Sequence, residues 1–161
     1  MKHAIVPNLW FDREAEEAAE FYTSLFPNSR IVNVSYYTDA GPRPAGEVMT
    51  VDFELNGQGF TAINGGPEFK FDEAVSFLIT ADDQEELDHY WERLTDGGEE
   101  GPCGWCKDRF GLSWQVVPAG MAELFADPDQ VRVERAMRAM LQMRKLDIGA
   151  LRDAADGVAA A

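Results

Sequence analysis

The sequence predicts an α+β protein built from two βαβββ modules followed by a C-terminal helix. Three observations carry that expectation. The order strand, helix, then several strands occurs twice, over about 4–64 and about 74–118, and an internal duplication explains this better than one continuous sheet. Met49, Val51, Phe53 and Leu55 alternate with Thr50, Asp52 and Glu54 ahead of Asn56-Gly57, the pattern of a half-buried strand entering a two-residue hairpin. Gly101 to Pro118 packs two Trp, two Cys and a tight Asp108-Arg109-Phe110-Gly111 turn ahead of a final strand. Residues 1–120 are read as a single domain (module 1 about 4–66, module 2 about 74–118), with 121–161 as a helical extension.

The elements follow in order. Residues 4–11 form an apolar run of strand length, and Pro7 places it at an edge or a bulge. Asp12 offers an N-cap for a helix whose first turn carries Glu14, Glu16 and Glu17. Its buried stripe is Ala15, Ala18, Ala19, Tyr22, Leu25 and Phe26, and Pro27-Asn28 ends it. Residues 30–38 read as a strand, and the Gly- and Pro-rich loop 39–46 breaks it. Pairing across Asn56-Gly57 sets Phe53 opposite Phe60, Val51 opposite Ala62 and Met49 opposite Asn64, which puts an amide on the apolar face.

In the second half, residues 74–80 are a short apolar strand. Asp82 with Glu85 has capping-box spacing, and Leu87, Tyr90, Trp91 and Leu94 mark a helix stripe that Gly97-Gly98 terminates. On the last strand Leu112, Trp114 and Val116 share one face, while Ser113, Gln115 and Val117 share the other. Asp127-Pro128-Asp129 then opens an amphipathic helix with Val133, Ala136, Met137, Met140 and Leu141 at helical spacing, read as a cover for the sheet or for a second subunit. The Ala-rich end from Asp153 is expected to fray.

Composition narrows the partners. With 45% hydrophobic residues and eighteen aromatics, the 161-residue chain can bury a sizeable core. Against 14 basic residues stand 29 acidic ones, a formal charge of -15, which disfavours nucleic acid and anionic membrane surfaces. No apolar run is long enough for a bilayer, no secretory h-region follows Met1, and two Cys make no disulfide framework, so a cytoplasmic location is expected.

The strings PNLWF, EAAEFYTSLFPNSRI, NGGPEFKF, AVSFLIT, DDQEELDHYWERLTDGG and CGWCKDRFGLSWQVVP resemble the vicinal-oxygen-chelate superfamily of glyoxalase, bleomycin-resistance and extradiol-dioxygenase relatives. More narrowly they resemble its PhnB-like branch, often labelled 3-demethylubiquinone methyltransferase-like. The likeness extends over nearly the whole chain, terminal helix included. Where the usual string has Leu, here stands Cys106, so any pairing with Cys103 is peculiar to this protein. The resemblance implies curved mixed sheets around a shared cleft, and a homodimer. Metal-using relatives place one ligand, mostly His or Glu, on each of four strands. The matching positions here fall near Pro7 or Asn8, and at Asn64, Ser76 and Gln115, and such amide and hydroxyl oxygens hold a divalent transition metal badly. Neither His3 nor His89 matches a ligand position. No cofactor is therefore expected, with a divalent metal as the poorly supported alternative.

Gln115 and Asn64 read either as a satisfied polar pair bridging the two modules or as cleft groups that bond a ligand's oxygens. Cys103-Gly104-Trp105-Cys106 lacks a second ligand pair for zinc, and it enters a strand rather than the helix that a thioredoxin-like thiolate needs. Cys103 remains the candidate nucleophile, although no His neighbour is evident. Trp91, Trp105 and Trp114 read as core or, for the latter two, as cleft wall. Gly65-Gly66 opens no helix, so neither a phosphate loop nor a methyl-donor turn is present. Lys107 and Arg109 either attract an anionic ligand or pair with nearby carboxylates. The expected function is a small-molecule-binding protein without a tightly bound metal, its site walled by Asn64, Phe69, Ser76, Trp105, Trp114 and Gln115. The alternatives are a metal-assisted enzyme acting on vicinal oxygens and a drug-sequestering protein.

Overall fold

A computed structural model describes residues 5–158, so His3 lies outside the described residues. The chain divides into two compact units, Met1–Phe71 and Asp72–Ala161, each organised around its own four-stranded mixed sheet.

The first unit contains β1 (Asn8–Phe11), α1 (Ala15–Leu25), β2 (Arg30–Tyr36), β3 (Val48–Leu55) and β4 (Gln58–Asn64), in sheet order β1-β4-β3-β2. The hairpin register is the expected one, with Phe53 opposite Phe60 and Val51 opposite Ala62. The two Phe rings stack at 5.4 Å, and Tyr22 of α1 lies 6.3 Å from Phe53, so the helix stripe seals that face of the sheet. β1 is shorter than the apolar run at 4–11. The Pro7 carbonyl accepts from Thr61 N, but Pro7 has no N–H to extend the ladder, and regular pairing begins at Asn8. β2 stops at Tyr36 and carries two register shifts, as suits an edge strand. Asp12 does not cap α1. The Ala15 N–H instead donates to Oδ1 of Asn64 at 2.9 Å, so the cap comes from β4, 49 residues away in sequence.

The second unit contains β5 (Phe77–Ala81), α2 (Gln84–Thr95), β6 (Glu99–Glu100), β7 (Trp105–Lys107) and β8 (Ser113–Pro118), in sheet order β5-β8-β7-β6. The same connectivity therefore appears twice, β1 and β5 each pairing parallel with the last strand of its unit. Leu87, Tyr90, Trp91 and Leu94 of α2 are buried, as are Trp114 and Val116 of β8 and Cys106 of β7. The N-cap is Asp83 rather than Asp82, with its carboxylate accepting from Glu86 N. Glu86 in turn accepts from Asp82 N, the residue before the cap, a near relative of the capping box set one residue later than the sequence suggested.

Beyond β8 the single expected helix is three: α3 (Met121–Phe125), α4 (Gln130–Met140) and α5 (Ile148–Asp156). Asp129 caps α4, as the sequence signal indicates. The tail does not fray at Asp153. Leu151 and Ala155 are buried, Asp156 bonds Arg132, and Gly157 in the left-handed region ends α5. The segment before α5 is sewn into the second unit, because Cys103 N donates to Met143 O and Gly104 N to Arg144 O. Gly104 has φ +84°, and a Cβ there would meet Val116 O at 2.7 Å and Leu146 at 3.1 Å. No helix among the described residues is long and apolar enough to cross a membrane.

Candidate functional site

A hollow of the second unit lies beside β7. It encloses about 320 Å³ and is lined chiefly by Trp105, Pro102, Ser113, Lys107, Glu99 and Glu73. Strand alternation sets its chemistry. β7 and β8 place Trp105 opposite Gln115 and Lys107 opposite Ser113, while Glu99 of β6 lies opposite Lys107. Cys106 and Trp114, one residue out of phase, point to the buried face. Trp105, Lys107 and Gln115 thus share the less buried face, while Ser113 is fully buried.

Lys107 donates to Glu73 at 2.6 Å. That bond holds the Glu73 carboxyl below its ordinary range and raises the Lys107 ammonium. Gln115 Nε2 donates to Ser76 Oγ at 2.8 Å, both residues half-buried.

Of the residues anticipated from sequence, Trp105 lines the hollow, while Gln115 lies opposite Trp105 on β8 and bonds Ser76 outside the lining. Trp114 is a core residue, 3% exposed, with its indole N–H donating to Asp108 Oδ2 at 2.9 Å. Asn64 belongs to the first unit and is spent structurally. Its oxygen caps α1, its Nδ2 donates to Val48 O, and its backbone carbonyl accepts from Tyr37 Oη. Phe69, also in the first unit, packs edge-on against Trp10 at 5.0 Å. Gly65 is required beside it, since a Cβ there would fall 2.2 Å from the Trp10 ring. The hydrogen-bond partners of Asn64 and of Gln115 each lie within their own unit, so the bridging polar pair is replaced by two separate roles.

Cys103 sits in the left-handed region (φ 57°) in the loop before β7, part exposed, with no side-chain hydrogen bond to activate its thiol. Burial, then the charges of Asp108 and Glu100, pushes the Cys106 thiol up to about 12. Neither thiol stands at a helix N-terminus. Glu99, Glu73 and Pro102 went unnamed in the sequence reading. Strand register could have pointed to Glu99, which lies opposite Lys107, but Glu73 and Pro102 sit in loops with no local signal.

The four positions matched to metal ligands do not fit a metal. Asn64 Oδ1 is committed to a helix cap, and Gln115 and Ser76 bond each other, so these amide and hydroxyl oxygens are poor ligands for a divalent transition metal. Among the described residues, no group of three or more His, Cys, Asp or Glu side chains is placed to hold a metal ion.

Two mixed sheets, each with a parallel first strand and a helix across it, define the vicinal-oxygen-chelate fold. The sequence profile of the 3-demethylubiquinone-9 3-methyltransferase family matches residues 3–117, and the chain belongs to that PhnB-like family. A solved PhnB protein of Bacillus cereus that carries the 3-demethylubiquinone-9 3-methyltransferase name is 36% identical, covers 71% of this chain and 99% of its own, and has a TM-score of 0.64. Protein PA1353 of Pseudomonas aeruginosa is 22% identical over 71% of this chain and 95% of its own, with a TM-score of 0.58. A mutant of the fosfomycin resistance protein FosX of Listeria monocytogenes, solved with Mn(II) and 1S,2S-dihydroxypropylphosphonic acid, is 18% identical over 79% and 100%, with a TM-score of 0.53. These last two share the fold. No curated protein matches the chain. The family profile stops at residue 117, so the terminal helices, expected to share the resemblance, lie beyond it.

Proposed function

We propose that this chain is a small-molecule-binding protein whose site is the face of the second sheet around Trp105, Gln115 and Ser76, working without a tightly bound metal. The observation that supports it best is the hollow of about 320 Å³ beside Trp105, within the size range of small-ligand sites. An aromatic wall supplies contact area and a few polar groups supply orientation. The family's methyltransferase name gains no support from these residues, because the Gly65-Gly66 turn after β4 opens no helix to hold a methyl donor. A cytoplasmic homodimer belongs to the same proposal, and light scattering on purified protein tests the dimer.

The proposal is tested by a metabolite library screened by protein-observed NMR, following the tryptophan indole signals. Hits should shift the Trp105 indole and weaken about fivefold or more in Gln115→Ala, which loses one oriented amide while the melting temperature stays nearly constant. A large stability loss with unchanged binding would sink the role of Gln115. Metal content measured after reconstitution with Mn, Fe, Ni and Zn should stay far below one per chain. A stoichiometric metal lost in Gln115→Ala would instead support metal-assisted chemistry.

A further inference from the structure

The hollow beside Trp105 also carries a charge preference. Three carboxylates, Glu73, Glu99 and Glu100, line it against one cation, Lys107. Glu73 already holds that cation at 2.6 Å, and Glu99 faces it from the adjacent strand. Glu100 is turned elsewhere, accepting from Trp91 Nε1 at 3.3 Å and lying 3.7 Å from Arg144. An incoming anion would have to break the Lys107–Glu73 pair and then sit beside Glu99. A cation meets the reverse situation. The surplus carboxylate charge is negative, and the hollow is lined by the indole of Trp105, an electron-rich ring that attracts cations. Pro102 completes an apolar wall suited to N-alkyl or aryl substituents.

We infer that this site selects organic cations, namely amines or quaternary ammonium compounds with an apolar substituent, with Trp105 covering the cationic centre and Glu99 supplying the counter-charge. The inference rests on the small-molecule reading above and adds its ligand class. It differs from attraction of an anionic ligand by Lys107, which the Glu73 pair opposes.

The test compares benzyltrimethylammonium, benzyl alcohol and benzoate, which share an aryl group and differ in charge, by NMR titration of the full chain. The cation should bind about tenfold more tightly than either of the others, a gap of about 1.4 kcal/mol. Glu99→Gln and Trp105→Ala should each weaken it about fivefold, while Trp105→Phe, which keeps a ring should the Ala variant misfold, loses less. Raising the salt concentration should weaken the cation selectively. Equal binding of all three at Trp105 would overturn the cation preference and leave the small-molecule site standing. If none of the three moves the Trp105 signal while library hits do, the ligand class is wrong. If the library also fails there, the underlying reading falls with it.

Discussion

Asp108 shows how one side chain can hold the Asp-Arg-Phe-Gly turn. Its carboxylate, only 2% exposed, accepts from Phe110 N at 2.9 Å, Leu112 N at 3.1 Å and Trp114 Nε1 at 2.9 Å. Removing it strands three donors, so Asp108→Ala should lose about 3 kcal/mol in urea unfolding. Asp108→Asn should recover only part of that if its NH₂ is left facing the indole N–H. Cys106 gives a pH signature. Its thiol titrates at about 12 in the folded chain against an ordinary 9.0, so the neutral form is the one folding favours. That contribution is complete below about 9 and is lost as pH rises toward about 12. Thermal melts should therefore fall over that window, less steeply in Cys106→Ala. Alkylation at pH 8 should label Cys103 in the folded protein and Cys106 only after unfolding.

At the scale of elements, Gln84 joins the first turn of α2 to the chain entering α5. Its amide donates to Asp88 Oδ1 and to Leu146 O, and accepts from Ile148 N at 2.9 Å. Gln84→Ala should speed amide hydrogen exchange across residues 143–150, with little change in the exchange of β8. The hairpin at Asn56-Gly57 and the stripes of α1 and α2 were legible because period and turn chemistry are local properties. Asn64 was legible only as a buried amide needing partners. That its partner is the N-terminus of α1 depends on β4 being carried next to β1, a long-range fact with no local signature. The same limit applies to the site. Alternation put Gln115 and Trp114 on opposite faces of their strand, yet Trp114 was still counted as cleft wall, since alternation alone does not say which face α2 covers. α5 was missed because its Ala-rich stretch is held by tertiary burial and by Arg132, neither of which periodicity records.

For the whole molecule, the charge of -15 acts on top of these local contacts. Self-repulsion of that size opposes compactness, so raising NaCl to about 0.2 M should increase the melting temperature by screening it. A screened gain that failed to appear would mean that the exposed ion pairs lose as much as repulsion gives back. The join between Cys103-Gly104 and Met143-Arg144 has a further consequence, since the family profile ends at residue 117. Pruned to its relatives' length, this chain would leave two backbone donors bare at the bend leading into Trp105. Ligand preference carried over from shorter kin should therefore fail first around that bend, where residues outside the family profile supply the support.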